Sequence, residues 1–283
     1  MDKIKTNILT ILLWCLLGQA GLSQQAGLVY QGIEENRTVN NEKNCIEITT
    51  RVQGLELDDN HLIRLKDMTI TDDSGNTLAH LEETYYLPIY HYSNNSQKVL
   101  RLEAPSRKAR QISVKGTIEY FTISEDLHSK RNFTDIQQQY HKNLLAGNDA
   151  TMVLIDLEGL SRLKKEDEAG YSKKVRQLHK NAGVGTTLEH AKRYLDNALA
   201  DYGLWHGEAT KQLHLYREDP NNNILDVKVY KNNESQSGGA SFGSNTFSYS
   251  LKEGLTPEME LQFIVKNDSA IKKIPFTLTV NLP

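Results

Sequence analysis

The sequence predicts a mainly β fold: tandem antiparallel β-sandwich (Ig-like) segments with an intervening helical hairpin. Three observations predict it. Short alternating apolar runs recur at roughly ten-residue spacing, separated by turn residues. The period then shifts to three and four within residues 160–203. Alternation returns after Gly207 and runs to the C-terminus.

Residues 1–23 read as a secretory signal peptide outside the fold. Lys3 and Lys5 make a basic start, Ile8 to Leu17 an apolar run broken only by Thr10, and Gly18, Gly21 and Ser23 a small-residue cleavage region. The run is short for a membrane-spanning helix. Export to a periplasmic or secreted location is therefore expected, with no integral membrane association after cleavage. Residues 24–44, polar and Asn-rich, read as a loose lead-in.

The N-terminal sandwich is expected over residues 45–158. Ile46, Ile48 and Val52 share parity, as inward strand positions do. Met68 and Ile70 alternate with polar residues before the turn Asp72-Asp73-Ser74-Gly75-Asn76. Tyr85 to Tyr92 reads as an aromatic edge strand, because Pro88 lies inside it. Val99, Leu100 and Leu102 lead to Ala104-Pro105-Ser106. Ile112, Val114, Ile118 and Tyr120 form a longer strand interrupted by Gly116, and Met152 to Leu157 is the last apolar run.

A helical hairpin follows over residues 159–207. Tyr171, Val175 and Leu178 make one apolar face; Leu188, Ala191, Leu195, Ala198 and Tyr202 make another. Thr186-Thr187-Leu188-Glu189 fits a capping box, and Gly203 fits a C-terminal cap. Asn181 to Gly185 is the turn between the helices. The C-terminal sandwich is expected over 208–283, with strands around Leu213, Val227, Phe247, Leu261 and Ile274–Val280, and a long Gly/Ser-rich loop from Asn232 to Ser244. A faint repeat at an offset of roughly 160 residues lays Leu65–Asp73 near Leu225–Asn233, and the strand after Lys108 near the strand after Lys272.

The composition narrows the function classes. The chain has 283 residues, is 38% hydrophobic and carries a net charge of −3. That argues against a dedicated nucleic-acid binder. Removing the leader leaves Cys45 alone, so core burial replaces disulfides. Nine histidines are scattered without ligand spacing, and Cys-x-x-Cys is missing, so neither metal nor cofactor is expected. No nucleophile elbow, phosphate loop or dinucleotide fingerprint occurs.

The strand around Tyr85–Tyr92 carries the binding candidates. Alternation places Tyr86, Tyr90 and Tyr92 on one face, where phenol rings suit stacking on sugars or contacts with a protein surface. Core packing or cover by the helices is the competing reading of that face. Tyr202, Trp205 and His206 form a second cluster, and Ser235 to Ser244 a contact loop.

The ending Lys273-Ile274-Pro275-Phe276-Thr277-Leu278 through Leu282-Pro283 resembles the tail of exported bacterial β-sandwich proteins of unknown function. Val114-Lys115-Gly116-Thr117-Ile118-Glu119-Tyr120-Phe121 and the turn Asp72–Asn76 are similar to segments of the same proteins. The resemblance implies a fold and an exported life, and brings no catalytic residue with it. The expected function is an exported, non-enzymatic binding or structural module with protein or glycan contacts. The alternative is a secreted carbohydrate-active hydrolase with acids on sandwich loops.

Overall fold

The computed structural model describes residues 26–37, 44–81, 91–204, 212–243, 245–251 and 254–283. The chain is mainly β, with antiparallel sheets of the β-sandwich class. It forms two units: the described residues up to Thr122 together with Ile271–Pro283, and Ile123–Ala270.

In the first unit, β1 (Gly27–Asn36), β2 (Cys45–Gln53) and β4 (Gln97–Glu103) form one sheet in the order β1-β2-β4. β3 (His61–Asp72), β5 (Gln111–Thr122) and β14 (Ile271–Asn281) form the other, in the order β14-β5-β3. Period-two alternation sends Ile46, Ile48, Val52, Leu100 and Leu102 inward from the first. Ile63, Leu65, Ile112, Val114, Ile118, Phe276, Leu278 and Val280 meet them from the second. A bulge at Asp67 and Met68 places two residues opposite Gly116, with Asp67 at φ 52°. After β3, the Asp72 carboxylate accepts from Ser74 N at 2.9 Å and Asn76 N at 2.8 Å, which closes the expected turn. The chain then bridges Leu102 of β4 through His80, and Ile63 of β3 through Ser93.

Three expectations are corrected here. The lead-in 24–44 contains β1, an edge strand with only Leu28 fully buried, so its alternation is faint. The boundary expected at 158 falls at 122, and the final strand belongs to the first unit. Of the strands matched by the apparent repeat, β3 and the strand at Ile224–Lys231 lie in different sheets, whereas β5 and β14 are partners in one sheet, with Ile274 opposite Ile118 and Val280 opposite Ile112. Their likeness reflects two neighbouring strands filling one core.

In the second unit, β10 (Glu234–Ser235), β9 (Ile224–Lys231), β13 (Met259–Val265) and β6 (Lys130–Phe133) form one sheet in that order. β11 (Ser237–Phe242), β12 (Thr246–Leu251), β8 (Gln212–Glu218) and β7 (Thr151–Leu154) form the second. The loop expected at 232–244 thus contains two short strands. The sheets bury Met152, Leu154, Leu213, Leu215, Phe247 and Tyr249 against Val229, Leu261, Phe263 and Val265.

The helices are α1 (Leu157–Glu166), α2 (Glu168–Gln177) and α3 (Leu188–Leu204), with a π-turn at Leu178–Ala182. They connect β7 to its antiparallel neighbour β8 and form a third layer, rather than a spacer between sandwiches. β7 and β8 therefore bury both faces: Met152, Leu154, Leu213 and Leu215 inward, Val153 and Tyr216 beneath the helices. Asp156 and Asp167 cap α1 and α2 by accepting from Gly159 N and Gly170 N, each at 2.8 Å. The expected capping box moves by one residue: Thr187 Oγ1 accepts from His190 N at 3.1 Å, and Thr186 pairs with the His190 ring. α3 continues through Gly203, so that glycine is helical rather than a cap. No described helix is long and apolar enough to cross a membrane.

Candidate binding face

Of the expected tyrosine site, Tyr86 and Tyr90 lie outside the described residues. Tyr92 follows a bend at His91 and immediately precedes the Ser93 bridge to β3. Its hydroxyl donates to Glu119 Oε2 at 2.8 Å, Arg64 sits 4.5 Å from its ring centre, and Phe121 packs at 5.1 Å. The open tyrosine face does not extend to Tyr92, whose ring and hydroxyl are both engaged internally. Of the second cluster, Trp205 and His206 also lie outside the described residues, and Tyr202 is half-buried on α3.

Tyr92 marks one end of a wider surface. Because Ile63, Leu65, Val114, Ile118, Phe276 and Leu278 point inward, the alternate positions of β3, β5 and β14 point outward. Register aligns them in rows: Arg64, Glu119 and Lys273; Lys66, Thr117 and Pro275; Thr69, Lys115 and Thr277; Thr71, Ser113 and Thr279. Gln111 donates to Asn281 at 3.1 Å in the last row. Lys115, Lys273, Thr69, Thr277 and Thr279 are exposed. Thr71, Ser113 and Thr117 are half-exposed between them. The outer face of this sheet is thus a plane of hydroxyls, amides and ammonium groups. Among the described residues the exposed large hydrophobics are Tyr30, Val99 and Leu188, none of them on this plane.

Its charges are unequally held. Glu119 is buried and accepts from Arg64 Nε at 2.6 Å, with Lys66 Nζ 3.7 Å away. Burial pushes its carboxyl up, but the hydrogen bonds from Tyr92 and Arg64 and the charges of Arg64 and Lys66 outweigh that and hold it below the usual range. Lys115 and Lys273 have no ion-pair partner among the described residues.

Two other polar clusters sit on the units. In the first, Lys98 turns inward from β4, is 6% exposed, and donates to Ser93 Oγ at 2.8 Å. Burial pulls its ammonium down to about 8. In the second, a cleft of about 270 Å³ is lined by His141, Asp156, Arg162, Glu166 and Lys174, among others. His141 Nε2 accepts from Asp156 N at 3.3 Å, and its pKa falls to about 4 through burial and the Lys174 charge. Asp156 is committed to the α1 cap, so the two carboxylates of this cleft are not equivalent.

The outward plane escaped the sequence reading, which weighed the apolar and aromatic positions. Its signal was present in the opposite parity, as Thr and Lys at positions out of phase with the core. No protein family, curated protein or solved structure matches this chain.

Proposed function

We propose that this chain is an exported, non-enzymatic binding or structural module that contacts a glycan through the outward face of β14-β5-β3. The observation that carries this reading is the composition of that face. Its exposed hydroxyls and amides contribute nothing to the core, and they lie in rows across three strands. Strands spaced by about 4.8 Å present such groups as a flat grid, which suits an extended polymer rich in hydroxyls. A protein partner would call for an aromatic or aliphatic anchor at the centre of the contact. The leader-like residues 1–23 support an exported life.

The test is thermal stability of the full chain against a panel of neutral and charged polysaccharides. Ligand at a hundred times its dissociation constant adds about 2.7 kcal/mol, a rise of several degrees. Thr277→Trp places a bulky ring on the exposed plane and is expected to abolish the shift while leaving the unliganded melting point within about 2 °C. A shift that survives Thr277→Trp assigns the contact elsewhere; no shift with any polysaccharide overturns the glycan reading.

A further inference from the structure

We infer that the face selects anionic polysaccharides over neutral ones; the inference rests on the glycan reading above and deepens it. The outward positions of β3, β5 and β14 carry Arg64, Lys66, Lys115 and Lys273 against one carboxylate, Glu119. The whole chain has a net charge of −3, so this sign is a local segregation. Asp67 is the acid nearest in sequence, in the bulge on the edge strand β3.

The four cations divide into two roles. Arg64 and Lys66 are held by the buried Glu119, which accepts from Arg64 Nε at 2.6 Å and lies 3.7 Å from Lys66 Nζ. Lys115 and Lys273 face solvent without an ion-pair partner among the described residues. Lys273 stands opposite Glu119 in the strand register, and Lys115 stands four residues from Glu119 on the same strand. At about 3.3 Å per residue that is roughly 13 Å along the sheet. That is a spacing of backbone positions, and the flexible lysine stems let the two ammonium groups meet anionic groups anywhere along it. They match charges repeated along a polymer, and Thr117, Thr277, Thr279 and Ser113 lie between and beside them to meet its hydroxyls. Uronate-type carboxylates on a polysaccharide supply that combination.

The experiment uses the full chain with polygalacturonate, neutral galactan and duplex DNA as probes, each titrated at low and high salt. Polygalacturonate is expected to bind about tenfold or more tighter than galactan, and to weaken as salt screens the contacts. The double variant Lys115→Glu/Lys273→Glu is expected to lose about tenfold or more of that affinity with an unchanged melting point. The control Lys165→Glu/Lys173→Glu alters net charge equally on exposed helical positions and is expected to leave binding intact. Equal, salt-insensitive binding of galactan overturns the charge selection while the glycan face stands. Tighter binding of DNA, lost in the same double variant, overturns the polysaccharide in favour of a nucleic acid. Loss of binding in the control variant to the same extent overturns the local patch. Binding to neither polysaccharide overturns this inference and the reading beneath it together.

Discussion

Phe276 lies directly across from Gly116, and its ring occupies the space where a side chain would stand. A Cβ on Gly116 would meet Phe276 Cζ and Met68 Cγ, each at 3.0 Å. The glycine that interrupts the alternation of β5 is thus the seat of an aromatic ring from the last strand. Gly116→Ala is expected to cost about 1–3 kcal/mol by overpacking, read from denaturant midpoints. Phe276→Leu in the same chain is expected to recover part of it, since the clash is with a side chain.

Gly185 is held by backbone instead. Its φ is +73°, and a Cβ there would stand 2.5 Å from the amide nitrogen of Ala191 in the first turn of α3. Neither the turn nor the helix can yield cheaply. Gly185→Ala is expected to cost about 2–4 kcal/mol, more than Gly116→Ala, with the loss confined to the second unit. Equal costs at the two glycines would refute this distinction between side-chain and backbone contacts.

Lys98 is a charged group in an inward position. Its folded pKa of about 8 lies below the ordinary 10.5, so between those values the unfolded chain binds the extra proton. The first unit should therefore gain stability as pH rises from about 8 towards 10.5, until other groups titrate. At pH 7, Lys98→Met removes the buried charge and is expected to stabilise by on the order of 2 kcal/mol. Cys45 is a buried free thiol of the same unit, so its alkylation rate reports the opening of that unit.

His214 gives the second unit a dependence at the other end of the pH range. It shares a hydrogen bond of 3.1 Å with Tyr194, beneath α3, and burial holds it near 4. His141 is held near 4 as well. Both stay neutral when folded, while unfolded they take up protons near 6.5. Stability of the second unit should be full above about 6.5 and fall as pH drops towards 4, by on the order of 2 kcal/mol per histidine. His214→Gln should flatten this slope in denaturation curves at pH 7 and pH 4.5; an unchanged slope would assign the effect elsewhere.

Glu119 tests the end of the proposed binding face. Glu119→Ala leaves Arg64 and Lys66 facing one another and deprives Tyr92 of its acceptor. The expected cost is about 1–3 kcal/mol, with a smaller loss of about 1 kcal/mol for Tyr92→Phe. Thermal melts of both variants check the order.

The strands were legible where one face meets a core and the other meets water. Ile46, Ile48 and Val52 announced β2, and Phe247, Tyr249 and Leu251 announced β12, because period-two burial writes itself into the chain. β1 was obscured because an edge strand with one fully buried side chain has little alternation to show. Asp167 ends one helix and caps the next, a role that helical period alone does not reveal. Whether Tyr92 was open or covered was not legible, because a strand pattern gives parity and says nothing about which partner reaches the ring.

The residues by themselves determined the fold class, the helical segment and the inward positions of most strands, since these follow from local periodicity. Tertiary structure alone decided that β14 returns to the first unit, that the helices cover β7 and β8, and that Lys66, Lys115 and Lys273 share one face. Those outcomes rest on pairing between distant segments. Backbone hydrogen bonds are alike for any two strands, and the choice among partners falls to side-chain packing such as Phe276 on Gly116.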